Sequence, residues 1–116
     1  MDYSLENIAN RIKQAKRVAI FTHMRPDGDA LGGALALKRA LEFLNTPTQV
    51  CVESDIPSNL TFVSGIEKVK KSPEGSFDLL VTVDCSDEQR LGALSDLFLQ
   101  TRRKKIDTIN VDHHVS

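Results

Sequence analysis

Acidic and histidine residues gather at the ends of apolar, strand-like runs in this sequence. RVAIFT at 17–22 leads into HMRPDGD at 23–29, LLVTV at 79–83 leads into Asp84, and TINV at 108–111 leads into Asp112, His113 and His114. Imidazole and carboxylate together make a mixed nitrogen and oxygen donor set of the kind that holds Mn²⁺, Fe²⁺, Co²⁺ or Zn²⁺. A parallel α/β sheet brings the carboxyl ends of its strands to one edge, so three segments far apart in sequence are expected to converge there on metal ions.

The first segment is the densest. Pro26 and Gly28 predict a tight turn, and Asp29 is expected at the N-terminal end of the following helix, so Asp27 and Asp29 offer two carboxylates on neighbouring peptides. A bare Pro-Asp-Gly-Asp reads as a turn residue followed by a helix cap. His23, four residues before Asp27 and six before Asp29, shifts the balance towards a compact dication site. Gly32 and Gly33 each cost a helix about 1 kcal/mol relative to Ala. Close approach of that helix to the sheet, or to a phosphate, is the expected compensation. Asp84 reads either as the cap of a following helix or as a carboxylate bridging two metals about 3.5–4 Å apart. Its neighbour Cys85 is expected to be a small packed residue, not a thiolate ligand. Adjacent strand residues point to opposite faces, so His113 and His114 should not both bind one ion. One completes a metal site, the other meets a substrate phosphate as donor or general acid, and Asp112 orients an imidazole; the alternative for the trio is a solvated turn.

The elements that must position these groups follow from periodicity. Leu5, Ile8, Ala9, Ile12 and Ala15 fall on one helical face behind Ser4 as N-cap. A strand is expected at 18–22, then a helix over 29–44 whose Leu31, Ala34, Leu35, Leu37, Leu41 and Leu44 form a wide apolar arc ended by Asn45-Thr-Pro. Further strands are expected at 49–53, 78–84 and 106–111, with an irregular stretch over 56–75 holding one helical turn near 59–63, and a helix over 88–100. The order β-α-β-loop-β-α-β predicts an α/β fold with a doubly wound, mainly parallel sheet.

Composition excludes several other classes. The chain has 116 residues, 41% hydrophobic and 27% charged, with a formal net charge of −1, enough for one domain and without a global basic field for nucleic acid. Two cysteines, Cys51 and Cys85, make no disulfide scaffold and no metal-binding pair. No signal-like start and no membrane-length apolar run occur, so a cytoplasmic protein without a membrane partner is expected. The run Arg102, Arg103, Lys104, Lys105 reads as a solvated helix end, since no aromatic residues interleave with it for stacking on bases. A mononuclear zinc site of His23, His113 and His114 is disfavoured by the opposed faces of the last two.

The motifs resemble the DHH phosphoesterase family. His-x-x-Pro-Asp-Gly-Asp-Ala-x-Gly at 23–32 is similar to the family's first motif, Asp84 to its second and Asp112-His113-His114 to its third, in matching order across residues 15–114. The form of the first motif is most similar to the nanoRNase and phosphoadenosine-phosphate phosphatase branch, with Gly33 where Ser is common. The resemblance implies two Mn²⁺ or Mg²⁺ ions, one on His23, Asp27 and Asp84 and the other on Asp29, Asp84 and His113. His114 would contact the scissile phosphate, Arg90 in DEQRLG matches a family position, and Arg25 is a further candidate substrate contact. Catalytic roles would fall to His114, Asp84 and Asp112. The implied activity is metal-dependent hydrolysis of short oligoribonucleotides or 3′-phosphoadenosine 5′-phosphate, by a protein that is a homo-oligomer when complete. Alternatives are a non-catalytic metal- or phosphate-binding fragment, a RecJ-like single-strand exonuclease, or a cyclic-dinucleotide phosphodiesterase. The family continues into a fourth-motif aspartate and a smaller C-terminal substrate-binding domain, so residues 1–116 are expected to be a partial domain that is poorly active alone.

Overall fold

A computed structural model describes residues 5–23, 26–56, 58–60, 63, 65–83, 99–101, 103–104 and 106–111. Helix α1 spans Leu5–Gln14, strand β1 Val18–Thr22, helix α2 Gly28–Phe43, strand β2 Thr48–Cys51, strand β3 Leu79–Val83 and strand β4 Asp107–Val111. All pairings are parallel and the order across the sheet is β2-β1-β3-β4. The α/β class and the parallel sheet agree with the sequence reading.

The strand sequences explain their depth. VAIFT and LLVTV are buried at every position, as expected for strands covered on both faces. One face carries Val18, Ile20, Val50, Leu79, Val81 and Val83 and packs against Leu31, Ala34, Leu35 and Leu41 of α2. The opposite face carries Ala19, Phe21, Cys51 and Leu80, with Phe77 edge-on to Phe21 at a centroid distance of 6.5 Å. Each fully buried Ile or Phe contributes roughly 2–3 kcal/mol of transfer free energy to this core. Burial pushes the Cys51 thiol up to about 12, against a smaller opposing pull from Lys70, so it remains a protonated, unreactive packing group.

A polar latch sets the other end of the sheet. The Asp78 carboxylate accepts hydrogen bonds from the Lys16 amide at 3.0 Å and the Arg17 amide at 2.8 Å, while the Asp78 amide donates to the Arg17 carbonyl at 3.0 Å. Arg11 of α1 donates to the Asp78 carbonyl at 2.9 Å and pairs with Asp107 at the start of β4. The register of Val18 with Leu79 and of Leu79 with Asp107 is thereby set by side chains as well as by the ladder.

Several local expectations are corrected. Ala9 is exposed, so the buried stripe of α1 is narrower than its apolar spacing suggested. Leu44 lies at the C-cap of α2 and is 54% exposed, because Asn45 adopts a left-handed conformation (φ 64°) that turns the chain out of the helix. Lys38 is buried instead, its ammonium donating to Glu42 one turn later at 2.7 Å. Among the described residues the stretch over 56–75 holds two short 3₁₀ turns, Ser58–Leu60 and Ile66–Lys68, not one. The strand expected over 49–53 is shifted to Thr48–Cys51. Of the helix expected over 88–100, residues 99 and 100 are helical and the remainder lies outside the described residues, as does Ser4.

Candidate functional site

Three strands run level with one another up to their last described residues. Thr22 of β1 is in register with Val83 of β3, and Val83 with Val111 of β4. The residues that follow in sequence are His23, Asp84 and Asp112. Parallel neighbours lie about 4.8 Å apart, so the three strand ends span roughly 10 Å, with β3 in the middle.

His23 is 6% exposed, directly after the fully buried Thr22. Pro26 is buried, and Asp27 stands at the start of α2. Asp27 is the N-cap: its backbone is extended (φ −83°, ψ 177°), its Oδ1 accepts from the Ala30 amide at 2.8 Å, and its carbonyl accepts from the Leu31 amide at 3.1 Å. Asp29 sits in the first turn, exposed. Both carboxylates lie where the positive end of the helix dipole favours anions. A capping carboxylate keeps lone pairs beyond the one given to the amide, so capping and metal ligation by Asp27 are compatible.

The first segment does not close a metal site by itself. Among the described residues, no three His, Cys, Asp or Glu side chains come together as a metal-binding group. Asp84, Asp112, His113 and His114 lie outside the described residues, as do Arg25, Arg90 and Cys85. The structure therefore places His23, Asp27 and Asp29 at the shared edge and brings β3 and β4 level with them.

Two glycines of α2 narrow another expectation. Among the described residues a Cβ at Gly32 would meet nothing within 4 Å, and one at Gly33 would meet Val83 Cγ1 at an ordinary 3.9 Å. Close packing of helix on sheet does not require either glycine. Two polar ties at the strand ends were not anticipated. The Thr22 hydroxyl donates to the Val83 carbonyl at 2.9 Å, and the Thr82 hydroxyl donates to Asn110 Oδ1 at 2.8 Å. Their signal in the sequence is the lone threonine within each apolar run, VAIFT and LLVTV.

Comparison with known proteins bears on this edge. The family described as DHH family, N-terminal domain, matches residues 17–116. A curated relative, the bifunctional oligoribonuclease and PAP phosphatase NrnA of Thermus thermophilus, is 34% identical over 102 residues, which are 84% of this chain and 28% of that protein. The Mycoplasma pneumoniae protein of the same name is 29% identical over 114 residues, 96% of this chain and 34% of that protein. The chain thus spans about a third of the length of these relatives. The crystal structure of an exopolyphosphatase-related protein from Bacteroides fragilis superposes with a TM-score of 0.83 at 22% identity, covering 96% of this chain and 34% of that one, a likeness of fold.

Proposed function

The chain belongs to the DHH family, and from that membership we propose that it forms the metal-binding part of a divalent-metal-dependent phosphoesterase acting on short oligoribonucleotides, 3′-phosphoadenosine 5′-phosphate, or both. The observation that carries the proposal is the shared register of Thr22, Val83 and Val111, the residues immediately before His23, Asp84 and Asp112 in sequence. The names of the two curated relatives, each an oligoribonuclease and PAP phosphatase, support the choice of substrate class.

The donor chemistry fits two Mn²⁺ or Mg²⁺ ions. Carboxylates and imidazole suit such cations, and the two aspartates at the start of α2 are exposed. His23, Asp27 and Asp84 would hold one ion and Asp29, Asp84 and His113 the other. Asp84, following the middle strand, is the carboxylate suited to bridging. Bound there, the ions would supply electrostatic stabilisation of a phosphoryl group undergoing in-line displacement. His114 would donate a proton to the leaving oxygen, Asp112 would orient an imidazole, and Arg25 and Arg90 would hold non-bridging phosphate oxygens. Room beside Gly32 leaves the first turns of α2 open to a phosphate.

Among the described residues no helix is long and apolar enough to cross a membrane. A cytoplasmic location and a homo-oligomeric complete protein belong to the proposal. The test is hydrolysis by the full-length protein with Mn²⁺. A ribodinucleotide and 3′-phosphoadenosine 5′-phosphate should be cleaved, pyrophosphate should not, and chelation should abolish turnover. Turnover of pyrophosphate alone, or of none of the three, would contradict the assignment.

A further inference from the structure

We propose that Thr22 and Thr82 are positioning residues, whose hydroxyls lock the ends of β1, β3 and β4 together and so set the spacing of the metal donors that follow them. The inference rests on the two-metal site proposed above. Thr22 is 0% exposed and is the last residue of β1; its hydroxyl donates at 2.9 Å to the carbonyl of Val83, its own register partner and the last residue of β3. That carbonyl belongs to the peptide joining Val83 to Asp84, and Thr22 is bonded directly to His23. One hydrogen bond therefore spans the two backbones from which His23 and Asp84 project. Thr82, 4% exposed, makes the corresponding tie on the opposite face, its hydroxyl donating at 2.8 Å to Asn110 Oδ1 on β4. Asn110 is in register with Thr82 and two residues before Asp112.

Burial of a hydroxyl is unfavourable unless it is hydrogen-bonded. Valine has nearly the same shape and would add apolar burial to strands that are otherwise apolar, so a threonine in these places is explained by what its hydroxyl holds. Both ties sit at the carboxyl end of the sheet. At the amino end, the buried Thr48 hydroxyl donates to the Thr46 carbonyl at 2.9 Å, a bond of the same kind within one segment, far along the strands from His23. It provides an internal control.

The experiment measures Mn²⁺ affinity of the full-length protein by electron paramagnetic resonance, alongside urea denaturation. Thr22→Val should weaken Mn²⁺ binding about tenfold or more, the scale set by loss of outer-shell support for metal ligands. Thr22→Ser, which keeps the donor, should recover parental affinity. Thr48→Val should lose comparable stability and leave Mn²⁺ affinity unchanged. If Thr22→Val does not fold, Thr82→Val carries the same expectation, since it cuts the second tie and keeps the first. Parental affinity in the folded valine variant, or equal weakening by Thr48→Val, would overturn the inference and leave the two-metal site intact. A parent protein that binds no Mn²⁺ would overturn the metal site itself, and this inference with it.

Discussion

Removing the Asp78 carboxylate should loosen the end of the sheet opposite the chemistry, by an amount the structure allows to be worked out. The side chain accepts from two amides, Lys16 at 3.0 Å and Arg17 at 2.8 Å, in the segment that leads into β1. Hydrogen bonds to a charged group contribute roughly 1.5–3 kcal/mol each, and partial rehydration of the freed amides places this pair near the lower end, about 2–3 kcal/mol together. Asp78→Ala should therefore lower Tm by roughly 8–20 °C in a domain of this size. Asp78→Asn keeps a neutral acceptor and should cost about half as much. The effect has a pH signature. Burial alone would raise the carboxyl pKa, but the Arg17 and Lys16 amides, Asp78's own amide and the Arg11 charge outweigh it, so the folded-state value lies below the ordinary one. A depressed folded-state pKa gives stability that is present in full above the unfolded pKa near 4 and is lost as pH falls through the folded value. Urea denaturation from pH 7 to pH 3 should show a constant gap between parent and Asp78→Asn above about pH 5, closing in acid. A gap below about 0.5 kcal/mol at pH 7, the size of an ordinary surface substitution, or one that widens in acid, would refute the latch.

Other expectations concern the chemical edge. Asp84→Asn should remove more Mn²⁺ than any other single substitution, because a bridging carboxylate touches both ions; calorimetry showing parental affinity for Asp84→Asn but not for Asp27→Asn would make the bridging assignment wrong. His113→Ala should weaken metal binding, whereas His114→Ala should keep the ions and lower kcat; the reverse pattern would exchange their roles. Gly32→Ala should raise helix stability by about 1 kcal/mol, since no neighbour among the described residues opposes the new methyl, and should raise KM for a phosphoester if substrate passes beside that turn.

The strands were legible because VAIFT and LLVTV are apolar apart from one threonine each, a pattern that a sheet covered on both faces requires and a surface strand does not. The site edge was legible for the same reason: the polar residues begin where each apolar run stops. The cap of α2 was not. Asp27 and Asp29 are both good cap residues, and backbone conformation, not residue type, decides between them. The burial of Lys38 beside its Glu42 partner leaves no mark in the apolar spacing of α2. Leu44 has the spacing of a core residue, but the left-handed Asn45 ends the helix before it can point inward. The 3₁₀ turns are too short to carry a period. Thr22 and Thr82 look like ordinary β-branched strand formers, and their polar role exists only once register brings Val83 and Asn110 opposite them.

The most direct test of the convergent edge is anomalous diffraction at the manganese absorption edge from crystals of the full-length protein grown with Mn²⁺. Two peaks about 3.5–4 Å apart are predicted beyond the ends of β1, β3 and β4, one against His23 and Asp27, the other against Asp29 and His113, with Asp84 between them. A single peak ligated elsewhere, or none at saturating Mn²⁺, would contradict the two-metal site.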